Sequence, residues 1–483
     1  MVFSSIIFLF LFLPLTLLFY FIVRKEVQNL FLLCASLLFY AWGESFYVLI
    51  MLVSIAVNYF SGLLIEYFKG RRIAAFFLCT AVVLNLGLLS VFKYLDFIVN
   101  NVNLLLSMVN IKPIIISPVH LPIGISFFTF QAISYIVDVY RNEVKAQRNP
   151  INIGMYISLF PQLIAGPIIR YHDVAKQIVK RIVTRDDFAE GIRRFVLGLG
   201  KKVLIANPLG LTADKIFVIA SQELTAPVAW LGIICYIFQI YFDFSGYSDM
   251  AIGLGRMFGF HFLENFNYPY ISQSFREFWQ RWHISLSNWF RDYLYIPLGG
   301  NRHGQLRTYI NLVTIFFLCG LWHGASWNYV IWGMFHGFFL AIERLGFSRL
   351  LKILWRPLRH VYFIFTLIVS FVIFRTDTIS SAVAYLRAMF GFAQADGILY
   401  HINMYFDLEI KLTLIVAMIG SVPVFLFISR LKETILKRTS DGLSTYIDGV
   451  FEVSKTAAIS LILLVSVMYL AAGAYNPFIY FRF

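Results

Sequence analysis

The chain has 483 residues, of which 59% are hydrophobic and 14% are charged, and its mean hydropathy is +0.75. Soluble domains carry roughly 25% charged residues, so this composition excludes an ordinary soluble protein and indicates an all-α polytopic membrane protein. The net charge of +14 does not indicate a nucleic-acid-binding protein, because the basic residues form short clusters between apolar runs, as in cytoplasmic loops.

The first part of the chain is predicted to be a helical bundle (1–150). About 20 apolar residues cross the hydrocarbon core, and suitable runs lie at 6–23, 29–44, 47–66 and 73–92. Basic residues after the first and third runs place those ends in the cytoplasm. The pattern then loosens: 97–117 is interrupted by Asn100, Asn101 and Pro113, and 121–140 is an apolar helix that carries polar side chains.

The middle part (151–345) combines irregular and amphipathic segments. Two prolines and a glycine within 160–167 predict that 154–170 is a re-entrant or cavity-lining piece, because irregular backbone at membrane depth must be satisfied by protein or by a water-filled cavity. Residues 171–206 mix Lys and Arg with aliphatic residues, which predicts amphipathic helices on the cytoplasmic surface. A span ending near Phe242 is predicted to lead into a polar string with Asp243 and Asp249.

Aromatic and charged residues are most crowded at 275–297. If this segment is one helix, Arg276, Trp279, His283 and Leu286 share a face, and that face is suited to line a polar cavity. The alternative is an interfacial helix with its aromatic rings at headgroup level and its charges in water. Apolar helices follow at 308–322 and 328–343, and the C-terminal part (346–483) has further spans near 359–375, 409–428 and 456–473.

His323 lies at the end of an apolar run and is followed by Gly324. An ionisable residue within a membrane is costly and suggests a function, and a neutral imidazole there is suited to accept a hydroxyl proton. A structural hydrogen bond between helices is the alternative on spacing alone. His336, thirteen residues further on, would face the other way on a continuous helix, which favours a role in packing or in secondary support of the site.

Several strings in this order resemble one family closely. They are MVFSS (1–5), LPIGISF (121–127), AGP (165–167), YFDFSGYSDMAIG (241–253), ENFNYPY (264–270), the cluster 276–302 and LWHG (321–324). The sequence is identified as resembling the membrane-bound O-acyltransferases, within them the branch that acetylates bacterial polysaccharides. The resemblance covers residues 1–345, and beyond them only the hydrophobic pattern is recognisable.

The resemblance implies a ring of about ten to twelve tilted spanning and re-entrant helices around a central tunnel, in a single membrane-embedded domain (1–483) of a bacterial inner membrane. It places the family's buried catalytic histidine on His323 and the accompanying histidine on His283. The implied donor is cytosolic acetyl-coenzyme A, used as a cosubstrate, with no permanently bound cofactor and no metal. The implied acceptor is a hydroxyl of an extracytoplasmic polysaccharide, with alginate favoured, reached through an extracytoplasmic SGNH-type acetyltransferase partner.

We further predict that polar and aromatic residues of these strings line the tunnel and bind substrate. They are Arg276, Trp279, Arg281, Trp282, Asp243, Ser245, Asn288, Trp322 and Trp327. The arginines near the mouth would attract coenzyme A phosphates.

Other functions remain open at this point. Peptidoglycan or cellulose is an alternative acceptor, and teichoic acid D-alanylation is less favoured because the strings at 243–253 and 291–302 resemble the polysaccharide branch more. From another class, a transporter or flippase would also use broken helices and embedded histidines.

Overall fold

Every regular element in the described part of the chain is helical. The computed structural model describes residues 1–392 and 400–477, and no strand occurs among them. Seven helices there are long and apolar enough to cross a membrane, and shorter apolar helices lie at Phe8–Ile22 and Ile125–Tyr140. The seven are Val48–Tyr67, Arg72–Met108, Arg185–Phe217, Ala226–Met257, Trp327–Ile353, Arg356–Arg375 and Gly442–Ala471. The chain is therefore an all-α, multi-pass membrane protein, as predicted.

The first five α-helices follow the predicted spans with one exception. They are α1 (Leu13–Ile22), which a π-helical turn at Phe8–Phe12 precedes, α2 (Gln28–Ala41), α3 (Val48–Tyr67), α4 (Arg72–Met108) and α5 (Ile125–Tyr140). The predicted interruption at Asn100 and Asn101 is wrong, because α4 continues through both residues. Asn101 Nδ2 donates to the carbonyl of Phe97 at 2.7 Å, so this polar side chain is accommodated within the helix itself.

The segment 154–170 is irregular, as predicted. It contains the end of α6 (Pro150–Ser158), the single turn α7 (Phe160–Leu163) and an extended stretch that leads to α8 (Tyr171–Val179). Two of its buried amides donate to hydroxyls of other helices: Phe160 N donates to Ser36 Oγ at 3.1 Å and Ile168 N to Ser285 Oγ at 3.0 Å. Protein groups thus replace the missing helical hydrogen bonds, which is the condition for such backbone within a membrane.

Residues 185–206, part of the segment 171–206 that was predicted to form surface helices, belong to a longer helical unit. Helix α9 (Arg185–Gly200) continues through a π-helical turn at Lys201–Ala206 into α10 (Asn207–Phe217), and together they are long and apolar enough to span. They pack along α11 (Ala226–Met257), which runs through the polar string that was predicted to follow its span. A Cβ on Gly198 would lie 2.5 Å from the carbonyl oxygen of Gly246, so glycine is needed for this close approach.

The charges of this helix pair explain why the prediction was wrong. Lys202 Nζ lies 2.8 Å from an Asp243 carboxylate oxygen, and both side chains are at most 3% exposed. Asp249 accepts from Lys201 at 2.6 Å and from Arg194 at 2.8 Å. Basic residues that indicated a cytoplasmic surface are therefore neutralised by carboxylates of the neighbouring helix.

The cluster at 275–297 is not one helix. It forms α12 (Phe275–Trp279) and α13 (Ile284–Phe290), followed by a π-helical turn at Arg291–Tyr295. The break is at His283, whose φ of 43° is left-handed and cannot continue a right-handed helix. The predicted shared face of Arg276, Trp279 and His283 is therefore wrong.

The remaining helices complete the bundle. They are α14 (Gly304–His323), α15 (Trp327–Ile342), α16 (Ser348–Ile353), α17 (Arg356–Arg375), α18 (Ile379–Met389), α19 (Leu408–Gly420), α20 (Val424–Lys437) and α21 (Asp441–Ala471). One hydrophobic core cluster extends from Phe3 to Ala417. The helices that contain or flank His283, His323 and His336, α12 to α15, contribute side chains to this core.

Candidate active site

His323 is the last residue of α14. The next residue, Gly324, is extended, with φ −168° and ψ 151°. A Cβ at Gly324 would lie 2.2 Å from the ring of Tyr329, so only glycine fits where the chain leaves the helix. The His323 side chain is buried, and the whole residue is 7% exposed.

After this break α15 folds back along α14. A Cβ on Gly320 would lie 2.3 Å from the carbonyl oxygen of Tyr329, and one on Gly333 would lie 2.2 Å from that of Phe316. The two backbones therefore touch, and the second helix returns past the first. The prediction that His336 faces away from His323 on a continuous helix is wrong, because the helix ends between them.

This return brings histidine and tryptophan rings into one continuous row. The centroid of His323 lies 4.8 Å from that of Trp332, which lies 4.6 Å from that of His336. On the other side, the Trp322 ring lies 4.9 Å from His323 and 5.9 Å from His283. The three histidines are thus linked through two tryptophans.

Asn265 fixes the proton position on His283. Asn265 Oδ1 accepts from the backbone N of Ser285 at 3.2 Å and from its hydroxyl at 2.8 Å, so this atom is the amide oxygen. His283 Nδ1 lies 3.2 Å from the same oxygen and must donate to it. The neutral ring then carries its lone pair on Nε2. Asn265 was not among the residues predicted for the site, although it lies in one of the matched strings.

The three histidine rings share one feature: their Nε2 atoms lack hydrogen-bond partners among the described residues. Within residues 1–392 and 400–477, Nε2 of His283, His323 and His336 is buried and has no hydrogen-bond partner. His336 Nδ1 accepts from Trp279 Nε1 at 3.3 Å. Because buried polar atoms are normally paired, these nitrogens are suited to a proton or a substrate group.

A cavity of about 330 Å³ opens onto His323. We call it the His323 cavity, and it is lined by Glu44, Lys93, His120, residues 121–127, Ile164, Trp322 and His323. Its polar side chains include the Glu44–His120 pair, in which the nearest nitrogen and oxygen are 3.1 Å apart. The proline-containing segment contributes Ile164, so it lines a cavity as predicted.

A second cavity, of about 650 Å³, carries three arginines. We call it the arginine cavity; its walls include Arg276, Arg291 and Arg344, and also Trp279, Phe316, Cys319 and Glu343. All three arginines are exposed. Glu343 is engaged by the start of α12, because its carboxylate accepts from the amides of Phe275 and Arg276 at 2.8 and 3.1 Å.

The two cavities meet α14 at neighbouring positions. Cys319 lines the arginine cavity, whereas Trp322 lines the His323 cavity. Three residues of helix rise by about 4.5 Å, so roughly one turn separates them along α14. The rings of Trp279 and Phe316, with centroids 5.2 Å apart, pack beside this turn.

The structure distributes the predicted substrate residues among several places. Arg276 and Trp279 line the arginine cavity, and Trp322 lines the His323 cavity. The other six line neither cavity. Three are engaged by other side chains in ion pairs or hydrogen bonds: Arg281 with Glu277, Asp243 with Lys202, and Trp327 with Asn101. The remaining three are packed within the bundle: Trp282 against Phe278, Ser245 buried on α11, and Asn288 half-buried on α13. The predicted contact of all six with substrate stays a prediction.

One group in the described residues has the geometry to hold a metal ion, although no metal was predicted. It consists of Asp138, Glu143 and His172. Asp138 is already engaged, because it accepts from His172 Nδ1 at 3.0 Å and from the Tyr293 hydroxyl at 2.7 Å. Hydrogen bonds to Asp138, and then to Asp173, raise the pKa of His172 to about 10, which favours the protonated ring over a metal ligand at this position.

Comparison with known proteins identifies the family. The model of the membrane-bound O-acyltransferase (MBOAT) family matches residues 128–382, an interval that contains α12 to α15 and both His283 and His323. The chain therefore belongs to the membrane-bound O-acyltransferase family and is an O-acyltransferase.

Relatives extend the match to the whole chain. A Pseudomonas aeruginosa protein named "Probable alginate O-acetylase AlgI" is 48% identical over 394 residues, covering 81% of this chain and 75% of the relative. An Azotobacter vinelandii protein of the same name is 42% identical over 504 residues and covers 100% of both chains. A Helicobacter pylori "Peptidoglycan O-acetyltransferase" is 32% identical over 537 residues, covering 100% and 98%. The resemblance was predicted to end at residue 345, but the family model reaches residue 382 and two of these relatives align with the whole chain. The C-terminal helices are therefore similar as well, although they contain no recognisable motif.

Proposed function

We propose that this chain transfers acetyl groups from cytosolic acetyl-coenzyme A toward hydroxyls of an extracytoplasmic polysaccharide, with alginate favoured. One observation carries the proposal: the buried His323 lines one cavity, and a second, arginine-bearing cavity reaches α14 about one turn away. The relatives named as alginate O-acetylases support the acceptor class. The chain would work in a bacterial inner membrane.

The arginine cavity suits the donor. Its three exposed arginines would attract the phosphates of coenzyme A, because guanidinium groups bind phosphate oxygens bidentately. The same cavity also has aromatic and apolar lining residues, among them Trp279, Phe316 and Cys319, which suit an uncharged thioester arm. By the positive-inside rule the mouth of this cavity faces the cytoplasm.

In the proposed reaction His323 acts as the general base. The neutral imidazole takes the proton of the acceptor hydroxyl while the hydroxyl oxygen attacks the thioester carbonyl carbon. The ester C–O bond forms, the C–S bond breaks, and the imidazolium returns its proton to the leaving thiolate. His283, with Nε2 available to accept, orients the reacting hydroxyl. The transfer requires no permanently bound cofactor and no serine nucleophile on this chain.

The acceptor hydroxyl would reach the His323 cavity through an extracytoplasmic partner of the SGNH acetyltransferase type. Peptidoglycan is the second candidate acceptor, because the Helicobacter pylori relative aligns with the whole chain at lower identity. Acetyl esters on the polymer made by cells with and without this chain distinguish the two. Acetylated alginate supports the first candidate, and acetylated muropeptides support the second.

The experiment that tests the enzyme uses purified protein in liposomes with radiolabelled acetyl-coenzyme A. We expect thioester cleavage to disappear in His323→Ala and to persist in His401→Ala, which changes an exposed histidine. Unchanged cleavage in His323→Ala would refute the assignment of the base. Counterflow of substrate without thioester consumption would instead support the transporter alternative.

A further inference from the structure

The end of α14 leaves three carbonyl groups without helical partners. The Gly320 carbonyl accepts from Gly324 N at 3.3 Å, but no backbone amide of residues 325–327 donates to the carbonyls of Leu321, Trp322 or His323. A helix normally ends with such orphan acceptors, and they must be satisfied where water is scarce. Here the last of them belongs to the histidine assigned as the base.

Two adjacent residues of α4 satisfy these acceptors. Lys93 Nζ donates to the carbonyl of Trp322 and lies 3.5 Å from that of His323. Tyr94 donates its hydroxyl to the carbonyl of Leu321 at 2.9 Å. Two consecutive side chains, more than 220 positions away in sequence, thus contact three consecutive carbonyls.

In its protonated form Lys93 would strengthen this contact. Among the described residues no carboxylate lies within ion-pair distance of its ammonium group. A cation is favourable at the C-terminal, negative end of a helix dipole, and the ammonium also lies 5.8 Å from the centroid of the Trp322 ring. A lysine within a membrane helix is costly, so its position against this helix end indicates a function.

We propose that Lys93 and Tyr94 are positioning residues that hold the catalytic end of α14, so that His323 faces its cavity in the reactive geometry. This inference rests on the proposed function and adds to it residues from the N-terminal bundle. Lys93 also lines the His323 cavity, so the same ammonium group holds the helix end and borders the acceptor side. Catalysis then depends on α4, which lies outside the segment that matches the family model.

The test compares kcat and KM for acetyl-coenzyme A in the full chain reconstituted in liposomes. We expect Lys93→Met to lower kcat about 100-fold, because small misplacement of a catalytic group has effects of this size. KM should stay unchanged, because the donor cavity is lined by other residues. Lys93→Arg keeps the charge and the donors and should restore kcat to within about tenfold. Lys112→Met, which changes an exposed lysine, is the matched control.

Tyr94→Phe keeps the test valid if Lys93→Met fails to fold. It removes one hydrogen bond and should lower kcat roughly five- to tenfold without changing the thermal midpoint by more than a few degrees. Wild-type kcat in folded Lys93→Met or in Tyr94→Phe would overturn the inference. So would folded Lys93→Arg that is as inactive as Lys93→Met, because a positioning role tolerates arginine. Activity in His323→Ala would refute the proposed function itself, and that result does not depend on Lys93.

Discussion

The ring of Trp332 lies between those of His323 and His336, with centroids 4.8 and 4.6 Å away. This arrangement exists because α14 ends at His323 and α15 returns along it. The site therefore depends on contacts between two helix backbones as much as on the histidines themselves.

The first prediction concerns the contact between α14 and α15. A Cβ at Gly333 would lie 2.2 Å from the Phe316 carbonyl oxygen and 3.0 Å from Gly320 Cα. We expect Gly333→Ala to push the helices apart and to lower thioester cleavage about 100-fold. Gly87→Ala is the control, because nothing lies within 4 Å of its added Cβ, and it should be neutral or stabilise by about 0.5–1 kcal/mol. Wild-type activity in Gly333→Ala would contradict the close packing.

The second prediction concerns the arginine cavity. Arg276→Gln and Arg344→Gln should each raise KM for acetyl-coenzyme A by about fivefold, because an exposed charge pair contributes up to about 1 kcal/mol. The difference from wild type should shrink as salt is added, because salt screens exposed charges. Arg438→Gln, an exposed arginine outside the cavity, should leave KM unchanged. A fall in kcat at constant KM would argue against donor binding by these arginines.

The third prediction concerns pH and His172. Hydrogen bonds to Asp138 and Asp173 raise the pKa of His172 to about 10, and its side chain is 29% exposed. A raised pKa stabilises the fold fully below the unfolded value of about 6.5, and this contribution is lost as pH rises through about 10. Thermal midpoints of wild type and His172→Gln should differ most near pH 6, by the equivalent of about 1.5–3 kcal/mol.

As pH rises from 6.5, the difference in thermal midpoint between wild type and His172→Gln should decrease steadily and vanish above pH 10. His401→Gln is the control, because His401 is exposed and forms no ion pair with the described residues. A difference that does not change between pH 6 and pH 10 would show that folding does not raise the pKa of His172.

The fourth prediction concerns the buried pair of Lys202 and Asp243. Removing one partner leaves an uncompensated buried charge, which costs about 3–5 kcal/mol. Lys202→Met and Asp243→Asn should therefore each lower the thermal midpoint strongly, and the double variant should lower it by less than the sum. Lys215→Met changes an exposed lysine on the same spanning helix and should have little effect. Additive losses in the double variant would show that the two side chains do not interact energetically.

Local patterns determined the class of this protein and pointed to two residues of its candidate site. Runs of about 20 apolar residues must cross a bilayer, so the sequence alone predicted an all-α membrane protein. The strings around His283 and His323 are contiguous, so they identified the family without any knowledge of the fold. His323 also stood out because an ionisable residue in an apolar run has few structural reasons to be there.

Only the tertiary structure decided which charges and rings meet. The sequence predicted Lys201 and Lys202 on a cytoplasmic surface, but in the structure they form ion pairs with Asp249 and Asp243 of α11. His336 joined the site because glycines let α15 return along α14, and Lys93 reached the end of α14 from a helix 229 positions earlier. Such contacts depend on how distant helices pack, and no local pattern of hydrophobicity records that packing.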